Sequence, residues 1–355
     1  MKLNDLGCNP KIEEIIKSEQ YANFEVGRVV REHKERYFVS LQDGDFEAEI
    51  TGNLRFSAKS NADFPAVGDW VACVLFDNQL AIIQSILPRK SLLERQAVGK
   101  HGESQIIAAN VDEGLIVQSA DHNFNINRLE RYMTICYSAG IDVTLVLTKL
   151  DLISKTDFDD ILHQLNERGI SISIFPISNV SKQGYSDLMT YMRKGKSYCV
   201  IGSSSVGKST LINNLMGYEH LKTSATSESN LKGRHTTSHR ELIVLDNGGI
   251  LIDTPGMREL GITENPEALS MTFNAISELA QECKFSDCSH TNESGCAILF
   301  AVENGDIDSA SYDNYMKMQR EQEHFQRSVA DKRKHDKEFG KMIKSVMKER
   351  KKNRF

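Results

Sequence analysis

The sequence predicts a multidomain α/β protein with a small N-terminal β-barrel, a central α/β domain on a parallel sheet, and a C-terminal helical region built around a metal loop. Three observations carry that expectation. Five short strand signals crowd into residues 24–86 with no clear helix between them. From about 105 to 262, β-branched strand signals alternate with helical ones. Cys283, Cys288, His290 and Cys296 fall within fourteen residues.

Composition sets the outer limits. At 355 residues the chain is long enough for two or three domains, and 40% hydrophobic with 26% charged residues is ordinary for a soluble globular protein. Residues 1–19 are mixed polar, which argues against a secretory signal, and no apolar run reaches the roughly 18 residues of a membrane span. The seven cysteines are odd in number, and those at 8, 73, 136 and 199 are scattered, so no disulfide framework is indicated. A cytoplasmic location follows as the expectation. The net charge of −6 is uneven: residues 332–355 carry eleven Lys/Arg against three acids, a net +8, which leaves −14 on the rest. A basic tail on an acidic body suits a polyanionic partner.

The first element, after an N-terminal extension (1–23), is the barrel, placed at 24–98. Its candidate strands are 24–30, 37–41, 46–50, 69–76 and 80–86, with turn chemistry at Asp43-Gly44-Asp45 and Asp77-Asn78. That pattern fits an OB or SH3-like barrel. Residues 88–104 are polar and carry glycines, and read as a linker.

The α/β domain is placed at 105–264, with strands at 113–117, 142–147, 170–177, 197–201, 241–245 and 250–252 and helices at 127–139, 157–168 and 185–194. Strand–helix alternation implies a parallel sheet covered on both faces. Within it, Gly202, Ser203, Ser204, Ser205, Val206, Gly207, Lys208 and Ser209 spell G-x-x-x-x-G-K-S/T, between an apolar strand and a helix opened by Thr210. The glycines let backbone N–H groups wrap phosphates, and the helix N-terminus favours their charge. Lys208 would reach the outer phosphates, and the Ser209 hydroxyl would ligate magnesium. Asp253-Thr254-Pro255-Gly256 follows another strand; Asp253 stands where such a site positions its magnesium, and Gly256 can offer its N–H to the terminal phosphate.

Thr148-Lys149-Leu150-Asp151 ends the strand at 142–147 and resembles the N-K-x-D guanine reader, with Thr148 in place of Asn. A carboxylate at Asp151 accepts both guanine N1–H and the exocyclic amine, a donor pair adenine lacks. Lys149 would lay its stem over the base. The missing amide at 148 removes a tie between base loop and phosphate loop. Ser178 matches the short motif that supports the base. These base-reading elements precede the phosphate loop, the reverse of the usual order. Loops at the carboxyl edge of a parallel sheet converge whatever the chain order, so a permuted chain builds the same pocket.

The permuted order, the segment Gly233-Arg234-His235-Thr236-Thr237, the barrel ahead of it and the Cys/His cluster behind it resemble the ribosome small-subunit-dependent GTPase A family (RsgA). The resemblance runs from about 24 to 325. It implies an N-terminal OB-fold, a circularly permuted P-loop GTPase domain and a C-terminal helical zinc-binding domain. It further implies GTP hydrolysis stimulated by the small ribosomal subunit, in that subunit's late maturation. Thr236 or Thr237 would complete the magnesium site. Met257 stands where Ras-like enzymes carry a water-orienting Gln, and a thioether cannot orient water. The resemblance assigns that task to His235, beside Lys208 as the second catalytic group.

The helical domain is placed at 265–326. Cys283, Cys288, His290 and Cys296 form a complete tetrahedral zinc set with no open position, and the polar loop between them cannot build a core. The remainder, 327–355, reads as a basic helix: Phe339, Met342, Ile343, Val346 and Met347 form one apolar stripe, with lysines and arginines around much of the rest. The expected partners are GTP and GDP, the small subunit and its rRNA, and no membrane, with the chain acting as a monomer. Two rivals remain: a permuted GTPase of the large subunit, which the barrel and the zinc loop speak against, and a passive RNA-binding module whose nucleotide site only stabilises the fold.

Overall fold

The computed structural model describes residues 2–33, 36–76, 80–96, 104–218, 240–253 and 265–324. The chain opens with a 3-10 turn at Leu3–Leu6 and a short helix α1 (Pro10–Ile16), capped by Asn9. Leu6, Ile12 and Tyr21 are buried in the main core, so the N-terminal extension packs on the body.

The barrel follows with β1 (Glu25–His33), β2 (Arg36–Leu41), β3 (Gly44–Ile50), α2 (Gly52–Ser57), β4 (Trp70–Phe76) and β5 (Leu80–Ile86). The strands run β1-β2-β3-β5-β4, and β4 pairs back onto β1, which closes the barrel. This closed five-stranded arrangement, with β3 and β5 parallel, is the expected OB barrel. Alternate residues fill it, among them Val29, Val39, Leu41, Ala48, Val71 and Ile83. Gly27 has to be glycine: a Cβ there would lie 2.5 Å from Leu41 Cδ2 and 2.6 Å from Ser40 O.

The segment read as a linker holds a strand. β6 (Leu92–Gln96) pairs antiparallel with β7 (Ser104–Ala109), and Leu93 is fully buried. Its polar composition hid the strand, because β6 gains its hydrogen bonds and its cover from a partner that lies beyond the polar run.

The α/β region comprises β8 (Glu113–Ser119), α3 (Ile126–Ser138), β9 (Asp142–Thr148), α4 (Lys155–Glu167), β10 (Ser173–Pro176), α5 (Tyr185–Tyr191), β11 (Ser197–Ile201), α6 (Lys208–Met216), β12 (Arg240–Val244) and β13 (Ile250–Asp253). Strands β10-β9-β8-β11-β13 are mutually parallel, as the alternation predicts, and β12 joins antiparallel beyond β13. β12 then pairs with β1, Arg31 opposite Glu241 and Glu32 opposite Arg240, so barrel and α/β sheet are hydrogen-bonded into one sheet. Cross-strand ion pairs Arg31–Glu241 (3.2 Å) and Arg240–Glu32 (3.1 Å) flank the junction. The helical region is α7 (Pro266–Thr272), α8 (Asn274–Ala280), α9 (Ala297–Asn304) and α10 (residues 309–324). Among the described residues, no helix is long and apolar enough to cross a membrane.

Arg28, on β1, is fully buried where these parts meet. It donates to Gly68 O (3.0 Å), Leu6 O (2.6 Å), Asn110 O (3.1 Å) and Ser197 Oγ (2.9 Å), and lies over the Trp70 ring. Burial pulls its pKa down to about 10, against Asp112 and Asp69. At neutral pH it remains a cation, and its donors close off carbonyls of the N-terminal segment, the barrel and the α/β domain. Arg28→Met leaves the buried carbonyls of Leu6 and Asn110 unpaired, whereas Gly68 O keeps the Asn110 Nδ2 donor at 3.1 Å, so unfolding by urea should show a loss of about 2 kcal/mol or more, on the scale of about 1 kcal/mol per unpaired group.

Candidate nucleotide site and metal centre

Residues Ser197–Ile201 are all buried, and β11 delivers the chain into the loop at Gly202. A Cβ on Gly202 would lie 2.4 Å from Val117 O, so the loop can leave the sheet here only as glycine. Ser205 (φ 65°) and Gly207 (φ 90°) adopt the left-handed conformation, which turns successive amides inward. Lys208 opens α6, with Ser209 and Thr210 in its first turn. The Lys208 ammonium donates to Gly202 O (2.8 Å) and Ser203 O (2.5 Å), which holds it over the loop. Arg128, in the first turn of α3, donates to Ser203 Oγ at 2.8 Å.

The base-reading loop leaves β9, two strands away. Lys149 is left-handed (φ 60°), and its ammonium pairs with Asp121 Oδ2 at 3.0 Å. Burial opposes the charge on Asp121, but hydrogen bonds from Ser119, Lys149 and the Asn123 amide outweigh it and hold the carboxyl below its usual range. Ser178 Oγ donates to Asp151 Oδ1 (2.5 Å) and accepts from the Val180 and Ser181 amides, which fixes the carboxylate's orientation.

The tie between base loop and phosphate loop is present despite the missing Asn. Thr148 Oγ1 donates to Val206 O at 2.6 Å, and Asn179 Nδ2 donates to Gly207 O at 3.2 Å. Asn179 is itself oriented by Tyr185 OH (2.6 Å), and Asn214 Nδ2 donates to both Asn179 O and Tyr185 OH at 3.1 Å. The single residue of the N-K-x-D pattern is replaced by two, one from each side of the base loop. Sequence reading missed Asp121, Asn179 and Arg128. Asp121 and Asn179 stand just past the carboxyl ends of β8 and β10, and that position at a parallel sheet edge was the available signal.

Asp253 ends β13, the strand beside β11. Its carboxylate leaves the sheet beside the strand whose following loop leads to Ser209 in the first turn of α6, and hard oxygen donors of this kind fit magnesium. Gly256 and Met257, and the segment Gly233–Thr237 with His235, Thr236 and Thr237, lie outside the described residues.

The four metal-loop residues converge, with their ligand atoms all within 4.8 Å of one another. Cys283 Sγ and Cys296 Sγ are 3.9 Å apart, and each is 3.6 Å from His290 Nδ1. Tetrahedral zinc, at about 2.3 Å from sulfur and about 2.0 Å from nitrogen, calls for ligand separations of about 3.5–3.8 Å, so the set fits. Left-handed residues His290 (φ 59°) and Gly295 (φ 84°) fold the loop inward, and Tyr312 OH donates to His290 O at 2.7 Å. Burial raises the Cys283 pKa, but the Ala297 and Ile298 amides at the start of α9 outweigh it and draw the thiol below its usual value. Burial and the neighbouring sulfurs push Cys288 up to about 11. A dication held by these residues would favour the thiolate form of its sulfur ligands.

Thr148→Val should weaken GDP binding about 5-fold or more, because Val206 O loses a donor worth about 1 kcal/mol, whereas Thr148→Ser should bind like the parent. Calorimetric titration of both variants decides whether the hydroxyl is the tie.

The description "RsgA GTPase" matches residues 86–263, and "50S ribosome-binding GTPase" matches residues 197–334. The chain is 41% identical over 304 residues to the small ribosomal subunit biogenesis GTPase RsgA 1 of Oceanobacillus iheyensis, covering 85% of this chain and 86% of that one. The protein of that name from Bacteroides thetaiotaomicron is 40% identical over 331 residues, covering 93% and 92%. RsgA 2 of Vibrio parahaemolyticus is 35% identical over 350 residues, covering 99% and 94%. The crystal structure of YjeQ from Thermotoga maritima superposes with a TM-score of 0.63 at 27% identity, over 83% of this chain and 96% of that one. YloQ, described as a circularly permuted GTPase, superposes at 0.61 with 25% identity, over 89% and 98%. A permuted phosphate and base site carried on this barrel-bearing sheet, together with identity of this extent, means that the chain is a GTP hydrolase belonging to the RsgA GTPase family.

Proposed function

We propose that this GTPase acts in the late maturation of the small ribosomal subunit and that the subunit stimulates its hydrolysis. The observation that carries the reading is that identity to relatives bearing that name runs through barrel, permuted domain and cysteine loop alike, over as much as 99% of the chain. In this reading the amides of residues 202–209 and the Lys208 ammonium cradle the phosphates. Asp151, aimed by Ser178, reads the guanine edge, and Lys149, steadied by Asp121, lies along the base. Ser209, Asp253 and Thr236 or Thr237 hold magnesium, and Gly256 donates to the terminal phosphate. Magnesium bound with GTP supplies neutralising charge between the outer phosphates. Met257 offers no group to orient water, so His235 takes that task, and basal turnover is slow. Subunit binding brings the His235 imidazole into attack geometry.

Zinc, held by Cys283, Cys288, His290 and Cys296, organises the loop ahead of α9. The basic segment 327–355, which lies outside the described residues, meets rRNA through its net positive charge. The protein works in the cytoplasm as a monomer.

Single-turnover GTP hydrolysis, measured with small subunits, large subunits and neither, tests the reading directly. Small subunits alone should accelerate the reaction. His235→Ala should retain GTP affinity and subunit binding but lose about 10²-fold or more of the accelerated rate. Equal acceleration by large subunits would discard the proposed partner, and full acceleration of His235→Ala would discard the histidine.

Elemental analysis should find one zinc per chain. Cys288→Ser should lose it and loosen residues beyond 265, seen as faster hydrogen exchange there, while GDP affinity stays near that of the parent. Parent protein without zinc, and with three freely titrating thiols at 283, 288 and 296, would overturn the assignment.

A further inference from the structure

Helix α3 touches both the phosphate loop and the C-terminal helices, and the contacts lie on successive turns. Asn125 caps its start, with Oδ1 accepting from the Arg128 amide. In the first turn Arg128 Nη1 donates to Ser203 Oγ at 2.8 Å. Three residues on, along the same side of the helix, Arg131 makes a two-pronged ion pair with Glu321 on α10, one arm at 2.9 Å. Glu130, fully buried, accepts from Arg168 Nη1 at 2.9 Å and from Asn314 Nδ2 of α10 at 2.5 Å. Arg168 Nε reaches Asp308, just ahead of α10, at 2.7 Å. In the third turn Thr134 donates to Thr272 of α7 at 2.8 Å, with both hydroxyls buried.

These contacts differ in how easily they part. Separating Glu130 from Arg168 and Asn314 strands a charge in the interior, so the middle of α3 and the start of α10 stay together. The Arg128–Ser203 bond is half-exposed, joins an arginine to a hydroxyl, and can be remade at little cost. A cleft of about 440 Å³, lined by Asn125, Arg128, Arg131, Asp313, Asn314 and Lys317, separates α3 from α10 at the phosphate-loop end. The cleft therefore opens beside the Glu130–Asn314 contact and extends along the first turns of α3, where Arg128 reaches the loop at Ser203. Ser203 also supplies a carbonyl to Lys208, so the residue that Arg128 holds is one the phosphate lysine holds too.

We propose that Arg128 is a positioning residue that couples the conformation of the phosphate loop to the seating of α10, with α3 as the connecting rod. The coupling rests on residues 202–209 being the phosphate site. Phosphates that draw Lys208 off the Ser203 carbonyl change the loop to which Arg128 is bonded, and α3 carries that change to Glu321. By linkage, whatever displaces α10 alters nucleotide affinity by the same factor. The chain segment after Asp253 is then not the sole connection between nucleotide and C-terminal region.

Hydrogen exchange of residues 309–324, measured with and without saturating GDP, reads the coupling at its far end. GDP should change exchange there about 5-fold in the unmodified protein, and most of that change should vanish in Arg128→Met with GDP still bound. Ser203→Ala removes the same bond from the other side and should behave alike, which guards against a folding defect at either position. In the reciprocal experiment, Glu321→Gln should change GDP affinity about 5-fold alone but less than about 2-fold in the Arg128→Met background. Unchanged exchange with GDP bound, or effects of Glu321→Gln and Arg128→Met that simply multiply, would overturn the coupling alone. Unmodified protein that binds no GDP would overturn the phosphate site and the coupling with it.

Discussion

The in-register parallel pairing of β8 with β9 and with β11 is the constraint on which the site depends. Ser119 lies opposite Thr148, and Ile116 lies opposite Ile201, so β8 sets the heights at which the base loop and the phosphate loop leave the sheet. All three strands point the same way, and their carboxyl ends share one edge. A slip of one residue would turn each strand's side chains to the opposite face and carry Thr148 away from Val206 O. Chain order does not enter this geometry. A permuted chain therefore reaches the same pocket as an unpermuted one, provided the strands pair in the same register.

The ties across that edge show how one functional requirement is met by different chemistry. An amide at position 148 would bridge the two loops by itself. Here a threonine hydroxyl bonds Val206 O, and an asparagine from the next strand end bonds Gly207 O. The second tie depends on Tyr185 and Asn214, which belong to α5 and α6. Satisfying the loop carbonyls is what matters, because a carbonyl left unpaired beside the phosphates would cost about 1–3 kcal/mol. Which side chain supplies the donor is secondary.

Barrel and nucleotide domain are not independent bodies joined by a tether. On one edge β1 pairs with the barrel strand β4 along its first half and with β12 along its second, while β2 holds its other edge. Arg28 sits at the change-over and satisfies carbonyls from three separate segments. A buried guanidinium is costly to desolvate, and the cost is offset only while all its acceptors remain in place. That makes the junction specific in geometry, and it places β12 between the barrel and β13, the strand that ends in Asp253.

Patterns of residue type within one segment were enough for the sequence to determine the strand–helix alternation, the glycine-bearing loop at 202–209 between a strand and a helix, the turn at Thr148–Asp151 past a strand end, and the set Cys283, Cys288, His290 and Cys296 that the fold brings together. Each depends on local spacing: glycines that let a loop turn, a carboxylate at a strand end, thiols a few residues apart. The metal loop was legible as a set because its ligands lie within fourteen residues, although its 3.6 Å and 3.9 Å separations belong to the folded loop. Tertiary structure alone decided the rest. β6 is a strand because β7 pairs with it, β12 runs antiparallel between β13 and the barrel strand β1, and Arg28, Asp121 and Asn179 matter because of partners up to 169 residues away. Hydrogen-bond partners at such separations leave no periodicity in the sequence, since what places them together is the register of strands and not the spacing of residues along the chain.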